Sequence, residues 1–327
     1  MQPIDLGRRR FIAIAAAVGT TPLWGGAGAA DDGIVEWRGV ALGAAASIRL
    51  AHPDRAAGKA LLARCVAEAR RLERVFSLYR EDSEICRLNA AGTLALPAFE
   101  MIELLSYAAQ VSAASGGAFD VTVQPLWQLY RAHFARHGAD PAGPDVEAVL
   151  PLVDWQGVSV AADRIDLRRP GMAVTLNGIA QGYITDRVAE LLRGEGMTSV
   201  LVDLGETRAL GGRPEGGPWR AGLADPARPD RLGARLDLRD VALATSGGYA
   251  TPFDAAEHFN HLLDPRSGRS APARRAVSVL APRATIADAA STALALLPEA
   301  EAPALLRQLG ARAAYIQDSS GLRILRA

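Results

Sequence analysis

The stretch Leu176-Asn177-Gly178-Ile179-Ala180-Gln181-Gly182-Tyr183 carries the chain from an apolar run directly into a helix. Ala173 to Leu176 reads as a strand, Gln181 to Gly194 as the helix, and Ser199 to Asp203 as a buried strand behind it. Small residues at the helix start leave main-chain N–H groups open, which suits a phosphate or a cation-bridged pyrophosphate. The stretch is neither G-x-x-x-x-G-K-S/T nor G-x-G-x-x-G, so neither standard nucleotide loop applies.

Upstream, residues 35–50 alternate and end in Ala46-Ser47-Ile48-Arg49-Leu50, a strand after a turn at Gly43. Residues 54–76 place Leu61, Leu62, Val66, Ala69, Leu72, Val75 and Phe76 at helical spacing, which predicts a long amphipathic helix. Residues 77–89 read as a polar loop. Residues 97–114 read as a helix with Pro97 in its first turn, stopped by Gly116-Gly117 and followed by a short strand. Residues 130–151 are polar and broken by Gly138, Pro141, Gly143 and Pro144, a connector or surface helix. Val158 to Leu167 reads as a strand, set apart from Ala173 to Leu176 by the Pro170-Gly171 turn. Strand signals between Gly- and Pro-rich turns run to about residue 280, then a helix over 286–297, another near 303–309 and a hairpin ending at Leu325. There is no internal repeat, and strands and helices mix without regular βαβ alternation, so the class is α+β.

The bulk properties narrow the function. The chain has 327 residues with 49% hydrophobic and 22% charged, an ordinary globular balance. Basic and acidic residues number 36 each, so no global field draws it to nucleic acid or a membrane surface. Two cysteines, Cys65 in a helix and Cys86 in a strand-edge loop, make no disulfide framework and no C-x-x-C site. Arg8-Arg9-Arg10-Phe11-Ile12, an apolar run to Val18 and small residues at Ala27-Gly28-Ala29-Ala30 have the layout of a twin-arginine signal peptide. Residues 1–30 are therefore expected to be the leader and 31–327 one exported domain, with no transmembrane span in the mature chain. The localisation expected is the periplasm, with an uncleaved membrane anchor facing it as the alternative.

Four segments carry more polar chemistry than packing needs. Phe76 to Asn89 offers Tyr79, able to stack on a flat ring. Ser115 to Leu126 places glycines beside Asp120, whose carboxylate can accept from a heterocycle's N–H groups. The Leu176–Tyr183 stretch is the third. In the fourth, His261-Leu262-Leu263-Asp264-Pro265-Arg266-Ser267-Gly268 precedes Ala287-Asp288-Ala289-Ala290-Ser291-Thr292-Ala293. Asp288 and Thr292 are four apart on a helix, so their oxygens share a face, a hard-cation set when phosphate and water complete it. A helix N-terminal charge at Asp288 and a packed Thr292 explain the same pattern without a cation.

Taken in order, these segments and Ala244-Thr245-Ser246-Gly247 resemble the FAD:protein FMN transferases of the ApbE family over roughly residues 35–300. The resemblance implies a single compact domain of mixed β-sheets with flanking helices, in two intimately associated subdomains. It implies Mg2+ and FAD as substrate, attack by a threonine or serine of an acceptor protein, a phosphoester product and AMP release. Carried over by position, Leu42, Tyr79, Ala118, Phe119, Asp120, Thr175, Gln181 and Leu263 line the FAD site. Gly178, Asp288, Ser291 and Thr292 fall on the metal positions, Gly178 through its carbonyl. His261 is the candidate base for the attacking hydroxyl, and Arg266 a candidate phosphate contact.

This chain departs from the family pattern. Many members carry aspartate at Thr175, methionine at Leu42 and threonine at Ala44, and some carry an acid at Ser291. Fewer carboxylates predict weaker magnesium affinity without nucleotide. The Leu-Asn-Gly-Ile-Ala-Gln-Gly form with its leader is similar to the branch tied to nitrous-oxide respiration (NosX-like). The acceptor this implies is a NosR-like or Rnf/Nqr-type flavin-carrying subunit. A non-catalytic FAD-binding protein and a magnesium-dependent FAD pyrophosphatase releasing FMN and AMP remain open beside the transferase.

Overall fold

The computed structural model describes residues 33–226 and 228–327, so the expected leader lies outside the described residues. The chain opens with β1 (Ile34–Ala41) and β2 (Ala44–Ala51), then α1 (Arg55–Phe76), α2 (Glu84–Ala91), β3 (Thr93–Ala95), α3 (Phe99–Ala114) and α4 (Gln124–His137). Then come β4 (Val158–Val160), β5 (Arg164–Leu167), α5 (Ala180–Gly194), β6 (Val200–Asp203), β7 (Thr207–Leu210), β8 (Trp219–Asp225) and β9 (Arg228–Leu238). The remainder is β10 (Ala242–Gly247), β11 (Ala276–Ala281), α6 (Ala284–Leu296), α7 (Ala302–Leu309), β12 (Ala313–Asp318) and β13 (Gly321–Arg326).

Eight strands form one antiparallel sheet in the order β1-β2-β6-β7-β10-β11-β12-β13. Strands β3-β5-β4 form a small second sheet, and β8-β9 a separate hairpin. The mixture matches the α+β expectation. On β2 the inward set Ala44, Ala46, Ile48 and Leu50 alternates with partly exposed residues, the period of a half-buried strand. One face of the large sheet is covered by helices, in a core that also takes Leu94 and Ile165 from the small sheet. The large and small sheets therefore share one interior. The other face is covered by the β8–β9 hairpin, through Trp219, Ala221, Leu223, Leu236 and Leu238 against Ala209 and Leu243.

Long periodic segments form as read. Helix α1 is opened by Asp54, whose Oδ1 accepts from Ala56 N at 2.8 Å and Ala57 N at 3.1 Å, and its apolar stripe is buried. Four short segments differ. The single strand expected from Val158 to Leu167 is the β4–β5 hairpin, its two antiparallel strands joined across residues 161–163. The loop expected over 77–89 contains α2, capped by Ser83 Oγ accepting from Cys86 N at 3.2 Å, so Cys86 sits in a helix. Eight residues are too few for a helical period to show. The strand expected after Gly116-Gly117 is instead a 3-10 turn at Val121–Val123 leading into α4; β-branched residues suggested a strand, but Asp120 caps the turn. Ala173 to Leu176 joins no sheet: the Asn89 side chain takes both main-chain groups of Val174, at 2.7 and 2.8 Å.

Helices α5 and α6 cap each other. Neither Ile179 nor Arg283 supplies a side-chain cap to its own helix. Asp186 on α5 accepts from Ala284 N and Thr285 N at 2.9 Å each, and from Thr285 Oγ1 at 2.7 Å. Asp288 on α6 does the same for α5, its Oδ2 accepting from Gly182 N at 2.9 Å. The crossing is close: a Cβ on Gly182 would stand 2.3 Å from the Ala284 carbonyl oxygen and 2.8 Å from Asp288 Cβ.

Candidate active site

The start of α5, the end of β10, α6, the loop 250–265 and the turn entering α4 enclose a cleft of about 1050 Å³, its open mouth included. Tyr79, Ala118, Phe119, Asp120, Thr175, Gly178, Gln181, His261, Leu263, Asp288 and Thr292 all line it. Leu42 lies in an adjoining hollow that shares Tyr79, Asn177 and Gln181 with the cleft. It occupies the β1–β2 turn at φ 49°, uncommon for leucine, with its N–H held by Glu73 Oε1 at 2.5 Å. Ser291 is buried behind the wall; its Oγ donates to the Asp288 carbonyl at 2.9 Å and pairs with Ser246 Oγ at 2.8 Å.

At the cleft floor, Asp288 is 3% exposed. Burial raises its pKa and Asp186 raises it further, against the Gly182 N–H, with no cationic side chain to offset the charge. A Cβ on Gly178 would stand 3.0 Å from Thr292 Oγ1, so the Gly178 main chain lies against that hydroxyl. Ser246 Oγ is 3.2 Å from Thr292 Oγ1. This donor set fits a hard cation: the Asp288 carboxyl lines the same cleft as the paired Ser246 and Thr292 hydroxyls, with the Gly178 main chain against Thr292. Among the described residues no three His, Cys, Asp or Glu side chains gather as a metal cluster, so substrate oxygens would have to complete such a site.

His261 faces the cleft half-buried, its Nδ1 without a hydrogen-bond partner. Burial pushes the imidazole down to about 4, against a main-chain bond at Thr251, so it is neutral near pH 7. Asp120 is already engaged: Oδ1 accepts from Thr122 N at 2.7 Å and Thr122 Oγ1 at 2.6 Å, and Oδ2 from Trp155 N at 3.0 Å. Thr175 Oγ1 accepts from Asn177 N at 3.3 Å. Arg266 is turned away from the lining and pairs with Asp264 at 2.9 Å.

Two lining residues escaped the sequence reading. Glu206 is 3% exposed with Oε2 unpartnered, and burial raises it well above the usual range, followed by the charges of Asp288 and Asp203. Its signal was an acid in the apolar turn Leu204-Gly205-Glu206 between two buried strands. Ser246 lies in β10, a strand buried at all six positions, and no local sequence pattern announces that burial.

The chain has counterparts of known sequence and structure. The family model described as "ApbE family" matches residues 42–316. The chain belongs to the ApbE family. Its relatives in this family include the FAD:protein FMN transferase of Klebsiella pneumoniae (strain 342), 29% identical over 79% of this chain and 77% of that protein. The Treponema pallidum (strain Nichols) protein of the same name is 32% identical over 72% of this chain and 71% of its own. The apo crystal structure of the Pseudomonas stutzeri flavinyl transferase ApbE superposes with a TM-score of 0.74 at 29% identity, over 90% of this chain and 94% of that one. Among the described residues of this ApbE-family chain, no helix is long and apolar enough to cross a membrane.

Proposed function

We propose that this chain is an FAD:protein FMN transferase that moves FMN from FAD to a threonine or serine hydroxyl of an acceptor protein outside the cytoplasm. The observation that carries the reading is the convergence of Asp288, Thr292 and Gly178 with the neutral His261 in one cleft at the start of α5. The relatives' shared name sets the class of reaction.

In the reaction, the acceptor's hydroxyl oxygen bonds to the FMN-side phosphorus. The bond from that phosphorus to the bridging oxygen breaks, and AMP leaves with that oxygen. His261 takes the hydroxyl proton, which its neutral ring can do near pH 7. The start of α5 does not offer the open main-chain N–H groups expected from its small residues. Ala180 N donates to the Leu176 carbonyl at 2.8 Å, Tyr183 N to that of Ile179 at 3.0 Å and Gly182 N to Asp288 Oδ2 at 2.9 Å, so the pyrophosphate charge falls to the cation site. Asp288, the Thr292 hydroxyl and the Gly178 carbonyl would hold Mg2+, which when bound neutralises and orients the pyrophosphate. Ser246 steadies Thr292, and Asp120 fixes the turn from which Phe119 lines the cleft.

The test is to incubate the enzyme with FAD, Mg2+ and the soluble domain of an Rnf/Nqr-type or NosR-like flavin-carrying subunit. Covalent fluorescent flavin on the acceptor, with AMP released in equal amount, is expected. FAD binding with no turnover, or FMN release equally fast without acceptor, would overturn the reading.

A further inference from the structure

Tyr79 and Asn177 line not only the cleft but also a groove that runs outward between α2 and α4. Gln124 and Trp127 are shared in the same way, so the groove opens into the cleft without an intervening wall. It measures about 1220 Å³ with its solvent, and its sides include the small residues Ala90, Ala132 and Ala135, which leave room for a main chain. Tyr79 stands 59% exposed at the junction, an aromatic rim of the kind that anchors transient partners.

Arg131 is the one charged residue lining the groove. Its guanidinium lies 5.5 Å over the Trp127 ring, and among the described residues no acidic side chain forms an ion pair with it. A planar guanidinium held on an aromatic face is well shaped to take a carboxylate. FAD's own charge sits on its pyrophosphate, which the proposed cation site at Asp288 and Thr292 in the cleft would meet. The acceptor, by contrast, must come from solvent and bring a hydroxyl to the phosphorus.

We infer that this groove seats the flavin-accepting segment of the acceptor protein, with Arg131 pairing an acidic group on that segment. The inference rests on the transferase reading. The groove sets which protein is modified, while the cleft holds the nucleotide.

The test uses the full enzyme with FAD, Mg2+ and the same acceptor domains, and compares wild type with Arg131→Glu and Ala132→Trp. Both positions are exposed on α4, so neither substitution enters the core, and matching circular dichroism melts check the fold. Each variant is expected to raise KM for the acceptor by roughly tenfold or more, with kcat and FAD affinity within about twofold of wild type. Saturating acceptor should also shield Cys86, which lines the groove, from a maleimide in the wild-type enzyme. Unchanged acceptor KM in both variants with Cys86 unshielded overturns the groove while leaving the transferase reading intact. Weakened FAD affinity in both assigns the groove to the nucleotide and also overturns it. No transfer by wild type to any of these domains overturns the transferase reading and the inference together.

Discussion

Asp288 Oδ2 accepts the main-chain N–H of Gly182 at 2.9 Å, so the proposed metal ligand also caps the start of α5. Its two roles separate on substitution. An asparagine side chain at this position would still accept the N–H but carries no charge. Asp288→Asn is expected to lower the transfer rate by about 100-fold or more, as loss of a charged transition-state contact does, with little change in Tm. Transfer rates across a magnesium titration, with circular dichroism melts, check it. Wild-type rates at limiting magnesium would remove the metal role.

Gly182 is fixed by the same crossing. A methyl there would meet the Ala284 carbonyl at 2.3 Å, and main chain cannot swing aside as a side chain can. Gly182→Ala should destabilise the fold by about 3 kcal/mol, the upper part of the overpacking range. Urea unfolding measures this. A loss below about 1 kcal/mol would show that the helices separate freely.

Asp186 caps α6 and faces Arg208, which is 8% exposed. Asp186→Ala strips two N–H groups of their acceptor and leaves a buried guanidinium without its carboxylate. The expected loss is about 3–5 kcal/mol, set by the uncompensated charge rather than by the cap alone. The double variant Asp186→Ala, Arg208→Leu should recover part of it in the same unfolding measurement.

His261 gives the enzyme a pH signature. With its folded pKa pushed down to about 4, the ring stays neutral well below the usual histidine range. If it is the base, the acidic limb of kcat/KM falls near pH 4 to 5 rather than near 6.5, and His261→Ala flattens it with FAD affinity kept. Stability follows the same sign. Between the unfolded pKa near 6.5 and the folded value, only the unfolded chain takes up this proton, so stability falls as pH drops through that window. The His261→Ala variant should lose that component of the acid sensitivity.

The cysteines should react unequally. Cys65 is fully buried in α1, and burial pushes its thiol up to about 12, so almost no thiolate exists at about pH 8. Iodoacetamide on the native protein should modify Cys86 alone, with Cys65 reached only in denaturant, as peptide mass spectrometry would show.

The legible parts of the sequence were those with length or company. Helix α1 repeats its apolar stripe over 22 residues, and the Asp288–Thr292 pair advertises a shared face within one helix. Helix α2 has eight residues and shows too little period. Glu206 was silent because its importance comes from Asp288, 82 positions away, and no local pattern announces a carboxyl that another segment will bury. Asp120 was visible as a polar residue, but its partner Trp155 lies 35 positions on, so a staple and a ligand contact look alike in sequence.

The reciprocal caps bear on how the protein is made. Gly182 meets its acceptor 106 positions later, and Ala284 meets Asp186 across 98. At ribosomal rates the start of α5 therefore waits on the order of 5–20 s for the residue that completes it. Asp288 and Thr292 join the cleft only once α6 has emerged, and a product truncated before residue 288 lacks both. The proposed cation site is therefore completed last, and an unfinished polypeptide carries the cleft's upstream wall without the residues that would hold the metal.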